Sequence, residues 1–179
     1  MTIPVPDPVA GAAAYQASLL AALGDDDPAV VQAATVTTIR QLLVEAGPDV
    51  RSRPEPGEWS VLECLAHLTD GELVVSGRYR WIIAEDTPSI VGYDQALWVA
   101  NLRQVDDDPD DLVRLFDALR QSNLALWERF GASHGARIGM HSERGPESYD
   151  LTFRLAAGHD RVHLGQARQA LAAVRAGGA

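Results

Sequence analysis

Signals for the start of a helix recur along this chain. Asp27–Pro28 and Asp108–Pro109 each place a carboxylate at the N-cap position and a proline at the first helical position. Ser60 is followed three residues later by Glu63, which is the spacing of a capping box, and Asp150 is a further candidate cap. Each signal precedes a long segment with apolar residues at helical spacing. The pattern therefore predicts four long amphipathic helices.

Glycine and proline residues mark where these helices end. We expect long helices over residues 28–45, 60–85, 109–130 and 150–175, and short ones over 11–23 and 93–104. A loop is expected over 131–147, and no segment alternates as a half-buried strand does. The predicted fold is all-α: a four-helix bundle over residues 27–176, with short extra helices and an N-terminal extension over 1–26 that carries one of them.

The composition excludes several classes of function. A formal net charge of −10 argues against a nucleic-acid partner, because a phosphate backbone would be repelled. All 15 cationic residues are arginine, which rules out Schiff-base chemistry and a phosphate-loop lysine. Cys64 is the single cysteine, so an internal disulfide and multi-cysteine metal sites are also ruled out. Its apolar helical neighbours favour a buried small hydrophobe over a nucleophile.

The hydropathy of the chain sets an expectation about its location. The apolar fraction of 46% is typical of a globular protein. No apolar run approaches the roughly 20 residues that cross a bilayer, and the first residues lack the pattern of a signal peptide. We therefore expect a cytoplasmic protein that has no membrane partner.

The strongest chemical signal is the pair His159 and His163. A spacing of four places both imidazoles on one face of a helix, one turn apart, where they can bind a single metal ion. Leu155, Gln166 and Ala170 share that face, which predicts that the pair lies inside the bundle or lines a pocket in it. Ordinary, partly buried histidines are the alternative, although two buried imidazoles without partners would be costly.

His67, on the second long helix, can supply a third nitrogen. Glu63 lies four residues before it and Asp70 three residues after it, so either carboxylate could reach the imidazole or the metal. The sequence does not choose between them. Three protein ligands leave coordination positions open, which is typical of a catalytic metal site.

Other residues near the pair have less specific roles. Asp160 stands where an HExxH motif has its glutamate, and we expect it to pair with an arginine of a neighbouring helix or to lie at a subunit contact. Residues 156–158 are small, which leaves room for a substrate or for the close approach of another helix. His134 and His141 lie in the expected loop; the segment around His141 could close over a pocket mouth, and a solvated histidine is the simpler expectation.

Three motifs, in order, resemble the DinB-like (YfiT-like) superfamily of metalloenzymes. They are PGEWSVLECLAHL at 56–68, HSERGP at 141–146 and GHDRVHLGQ at 158–166, and the likeness runs over about residues 27–172. The resemblance implies a four-helix bundle that holds a divalent metal on three histidines, often as a homodimer. The histidine triad of the family falls on His67, His159 and His163, so all three ligand positions are filled.

The resemblance is less informative about the reaction. The superfamily includes transferases that use low-molecular-weight thiols such as bacillithiol or mycothiol, a thiol-dependent isomerase and amidohydrolases. Our first hypothesis is an enzyme that uses Zn²⁺, Ni²⁺ or Fe²⁺ to transfer such a thiol to a small electrophile. Alternatives are metal-dependent hydrolysis of small amides or esters, for which Glu63, Asp70 and Glu143 are the visible bases, and a non-catalytic metal- or ligand-binding bundle. The candidates for catalytic roles are Glu63, Asp70 and Gln166.

Overall fold

Helices dominate the computed structural model, which describes residues 11–177, and the expected all-α bundle is confirmed. Residues 1–10 of the expected N-terminal extension lie outside the described part. None of the helices within it combines the length and hydropathy needed to cross a bilayer. The helices of residues 11–177 are α1 (Ala12–Leu23), α2 (Pro28–Ala46), α3 (Val61–Ala84), α4 (Gln95–Asn101), α5 (Pro109–His134) and α6 (Tyr149–Gly177).

Three of the four long helices begin where their caps predict. The Asp27 carboxylate accepts hydrogen bonds from the first turn of α2, and Asp108 does the same for α5. Ser60 and Glu63 complete both halves of the capping box of α3. The predicted cap of α6 at Asp150 is wrong, because α6 begins one residue earlier, directly after a strand. The Ser148 hydroxyl accepts the hydrogen bond from the Leu151 backbone N–H at 3.1 Å instead.

The expected loop over 131–147 is also wrong in part, because it contains a β-hairpin. A small sheet in the order β1-β2-β3 is formed by β1 (Ser89–Ile90), β2 (Ile138–His141) and β3 (Gly145–Ser148). The first two strands are parallel and the last two antiparallel. Strands of two to four residues are too short to produce an alternating pattern that stands out in a sequence. Gly139 of β2 leaves room for the Ile90 side chain of β1, because a Cβ at Gly139 would lie 2.3 Å from Ile90 Cδ1.

Two apolar clusters fill the bundle at opposite ends. One joins α2, α3, α5 and α6 around Leu65 and Phe116, and the other joins α3, the sheet and α6 around Tyr79 and Phe153. Each large side chain buried in this way stabilises the fold by about 1.5–3 kcal/mol. The two clusters hold α3 and α6 side by side, and this pairing brings the predicted histidines together.

Helix α1 packs along α6. Leu19 is buried against Leu155, and Tyr15 packs in the same cluster. The contact is close because Gly158 has no side chain: a Cβ at that position would lie 2.0 Å from the backbone oxygen of Leu19. The expectation that the small residues 156–158 admit another helix is therefore confirmed.

Candidate metal centre

The three predicted histidines converge between α3 and α6. The Nε2 atoms of His67 and His159 are 3.0 Å apart. One ring nitrogen from each of His67, His159 and His163 lies within 4.8 Å of the other two. The helix spacing of His159 and His163 and the packing of α3 on α6 together account for this arrangement.

Burial determines the protonation of these imidazoles. His67 and His163 are almost fully buried, and His159 is partly exposed at the edge of a pocket. Removal from water lowers the pKa of His163 to about 4. The same cause, with a smaller contribution from the neighbouring imidazoles, places the pKa values of His67 and His159 well below their usual range. All three rings are therefore neutral near pH 7 and present lone pairs.

Gln166 orients one of the rings. Its Oε1 lies 2.9 Å from His163 Nδ1, and an amide oxygen can only accept, so Nδ1 carries the proton and Nε2 has the free lone pair. The contact with Gln166 therefore fixes the tautomer of His163. Trp59 covers the cluster, with its ring centroid 5.1 Å from that of His67 and 6.1 Å from that of His163.

Neither carboxylate expected beside His67 reaches it, and that expectation is wrong. Glu63 is held by the capping box and by the Arg53 guanidinium, whose Nε donates to Oε2 at 2.9 Å. Burial alone would raise the pKa of Glu63, but these hydrogen bonds more than offset it and lower the pKa. Asp70 accepts a hydrogen bond from Gln104. As a result, His67 Nδ1 has no hydrogen-bond partner among residues 11–177.

The donor set fits a divalent transition-metal ion. Two nitrogens bound to one ion at about 2.1 Å lie roughly 3.0–3.4 Å apart, and the Nε2 atoms of His67 and His159 already have that separation. Three neutral imidazoles suit Zn²⁺, Ni²⁺ or Fe²⁺ and leave further coordination positions open. The residues present therefore fit the metal that the sequence predicts.

A cavity of about 100 Å³ adjoins the cluster on the side of His159. Gly71 leaves space beside that ring, because a Cβ there would lie only 3.3 Å from His159 Cε1. The walls also include Tyr93 and two arginines that the sequence reasoning missed, Arg78 and Arg144. The sequence could have predicted that Arg78 lies on the cavity side of α3, since it follows Gly71 by two helical turns on the same face.

Asp160 pairs with an arginine of a neighbouring helix, as expected. Arg120 of α5 donates to Asp160 Oδ2 at 2.6 Å and to Glu72 Oε2 at 2.8 Å, with all three side chains buried. The Thr35 hydroxyl donates to the same Asp160 oxygen at 2.8 Å. These bonds occupy Asp160, so it is not available as a general base.

The histidines of the expected loop take other positions. His134 is the last residue of α5. His141 is buried at 3% exposure, so a solvated histidine was the wrong expectation. Its Nδ1 accepts a hydrogen bond from the backbone N–H of Glu143 at 3.2 Å, and burial lowers its pKa to about 4. The Glu143 side chain packs against Gly92 and lines the cavity.

Comparison with known proteins identifies the family. Residues 12–167 match the family model of the DinB superfamily, which is most of the chain. The chain belongs to the DinB superfamily. A solved structure, YfiT from Bacillus subtilis, matches with a TM-score of 0.74 and 20% identity over 84% of this chain and 86% of that one. It is described as a probable metal-dependent hydrolase with an unusual four-helix bundle topology, and at this identity the likeness shows the shared fold.

A curated relative has a similar description. "Putative metal-dependent hydrolase OB0782" of Oceanobacillus iheyensis is 27% identical over 108 residues. The alignment covers 60% of this chain and 62% of that protein, so the chain spans less than two thirds of the length of this relative.

Proposed function

We propose that this member of the DinB superfamily is a divalent-metal-dependent hydrolase of a small molecule, with His67, His159 and His163 as the metal ligands. The observation that carries the proposal is the convergence of three neutral imidazoles, of which two are buried and the third, His159, lies at the edge of a cavity. Both relatives described above are named as metal-dependent hydrolases, which supports the same reaction class.

The residues around the cluster have distinct tasks in this proposal. A bound divalent ion supplies Lewis acidity and lowers the pKa of the attacking nucleophile. Gln166 holds His163 in the tautomer that presents Nε2, and Trp59 covers two of the rings and limits the access of water. The opening beside Gly71 and His159 admits the substrate.

Glu143 is the proposed general base. Of the three carboxylates that the sequence offered as bases, Glu63 and Asp70 are bonded elsewhere, and only Glu143 lines the cavity. Its carboxylate would take the proton of the attacking water and later donate it to the leaving group. This placement favours hydrolysis over our first hypothesis from the sequence, thiol transfer.

Thiol transfer is the second candidate function. Arg78 and Arg144 line the cavity, and guanidinium groups there would bind the carboxylates of a low-molecular-weight thiol or of its acceptor. A divalent ion held by the three histidines would lower the pKa of such a thiol and so favour its thiolate near neutral pH. The family resemblance also supports a homodimer, which light scattering on the purified full chain would test.

The metal site is tested by metal analysis of purified protein. The parent should hold about one divalent ion per chain, and His163→Ala should hold none, because two remaining imidazoles bind weakly. The control variant His134→Ala removes a histidine outside the cluster, so its metal content should equal that of the parent. Retention of the parental metal content by His163→Ala would show that the assignment is wrong.

The reaction is tested with a panel of small esters, amides and electrophiles. Turnover that needs no thiol and falls in Glu143→Gln, with the metal content unchanged, is the expected result. Turnover that requires added thiol and is insensitive to Glu143→Gln would replace hydrolysis by thiol transfer. Metal binding without turnover in either panel would indicate a binding protein.

A further inference from the structure

Arg78 is a buried cation that forms no salt bridge with a carboxylate of residues 11–177. Its side chain extends from α3 into the wall of the cavity, and the residue is only 9% exposed. One guanidinium nitrogen, Nη2, donates to the backbone oxygen of Val91 at 3.0 Å, and Nε has no hydrogen-bond partner in the part of the chain that the structure describes. A buried guanidinium with an unused donor is costly unless something else satisfies it.

The main charges that act on Arg78 are those of Arg144 and Glu147, because Glu72 and Asp160, which also line the cavity, are bonded to Arg120. Arg144 is also nearly buried, and its guanidinium is paired with Glu147 through two hydrogen bonds, at 2.5 and 3.1 Å. His141 faces the same pair and adds no charge near pH 7, because burial lowers its pKa to about 4. Two guanidinium groups thus share one carboxylate. Burial, and then the nearby Arg144 charge, lower the pKa of Arg78, as expected for an uncompensated cation.

The cavity also offers neutral donors at this end. The Tyr15 and Tyr93 side chains line it, and burial raises the pKa of both phenols, so each hydroxyl retains its proton. A phenol O–H and a guanidinium fork are donors that suit the two oxygens of a carboxylate. Glu143 lines the same cavity, but it is exposed and solvated, so its charge is better screened than those of the buried groups.

The distance from Arg78 to the histidines limits the size of a ligand. Gly71 lies beside His159, and Arg78 follows Gly71 by seven residues, or about 10 Å along α3. Helical side chains lean towards the N-terminus of their helix, which brings the guanidinium closer to His159 than this rise. A single small molecule can therefore reach both groups.

We propose that Arg78 forms a carboxylate-binding subsite, and that the substrate is a small carboxylic acid whose reacting group lies beside His159 while its carboxylate pairs with Arg78. The inference rests on the proposed function, since it takes this cavity as the substrate site. The subsite itself consists only of protein groups and needs no metal.

The test is an NMR chemical-shift titration of the full chain, loaded with zinc, with benzoate and with its neutral counterpart benzamide. Benzoate should bind at least about tenfold more tightly than benzamide, because a guanidinium forms a stronger hydrogen bond with a charged carboxylate than with a neutral amide. Arg78→Gln should remove this preference. The matched control is Arg80→Gln, on the same helix, whose guanidinium contacts Ser122 and Asn123 outside the cavity, and it should keep the preference.

The variant His163→Ala separates this inference from the metal site. It lacks a proposed metal ligand but retains the lining of the cavity, so its benzoate affinity should stay within about threefold of the parent. Loss of benzoate binding in His163→Ala would mean that the anion binds through the metal, and would overturn the subsite. Equal binding of benzoate and benzamide by the parent, or no benzoate binding, would also overturn it.

A second variant, Arg78→Lys, tests the same subsite if Arg78→Gln does not fold. Arg78→Lys keeps the charge and loses the fork, so it should weaken benzoate binding while leaving benzamide binding unchanged. Equal effects on the two ligands would show that Arg78 acts only through packing and would contradict the subsite.

Discussion

Replacement of Gly158 by alanine should separate α1 from α6. The new Cβ would lie 2.0 Å from the Leu19 backbone oxygen and 2.7 Å from its carbonyl carbon. Both atoms belong to a helix backbone, so no side-chain rotation can relieve the clash. An ordinary contact needs at least 3.4 Å, which means that α1 must withdraw by about 1.4 Å. Tyr15 and Leu19 move with it, and both also line the cavity.

The magnitude follows from two opposing effects. Overpacking costs about 1–3 kcal/mol, and a backbone clash as short as this belongs at the upper end. Alanine in place of glycine inside a helix contributes about 1 kcal/mol in the other direction. The expected net loss in the free energy of unfolding is therefore about 2 kcal/mol, or a fall of roughly 4–8 °C in melting temperature for a chain of this size.

Gly165 provides a matched control in the same helix. A Cβ at Gly165 meets nothing within 4 Å, so Gly165→Ala should raise the melting temperature by about 2–4 °C through helix propensity alone. Thermal unfolding of the two variants beside the parent, followed by circular dichroism, measures the difference. Equal stabilisation by both alanines would refute the packing of α1 on α6 at Gly158.

Three other experiments test the buried polar groups. Arg120→Met leaves two carboxylates buried without a cation, so it should lower the free energy of unfolding, measured in urea, by about 3–5 kcal/mol. The control Arg114→Met removes an exposed ion pair and should change that free energy by less than about 1 kcal/mol. The Cys64 thiol is fully buried, and burial raises its pKa to about 12. A disulfide reagent at pH 8 should therefore modify Cys64 only in denatured protein. Rapid modification of the folded chain would contradict the burial of this thiol. His141 should contribute to acid sensitivity, because between pH 6.5 and about 4 the unfolded chain binds a proton at this residue and the folded chain does not. The free energy of unfolding should therefore fall as the pH falls through that window, and His141→Gln should reduce the loss by about 1–3 kcal/mol; an unchanged pH profile would count against the burial of this ring.

Local chemistry explains which parts of the fold were predictable. The starts of α2, α3 and α5 depend on a capping side chain and the turn that follows it, so a few adjacent residues suffice to recognise them. The start of α6 and the hairpin before it depend on pairing between strands of two to four residues and on the fit of Gly139 against Ile90. Strands this short leave no alternating pattern that stands out in a sequence, and the contact of Gly139 with Ile90 joins segments that are far apart in the chain.

The same distinction applies to the candidate site. The sequence by itself determined that His159 and His163 share a helix face, because a spacing of four has only one geometric consequence in a helix. Only the tertiary structure decided that His67, 92 residues away, meets them, and that Glu63 pairs with Arg53 instead of His67. The charge environment of Arg78 was also decided at that level, since it results from side chains that the packing of separate elements brings together.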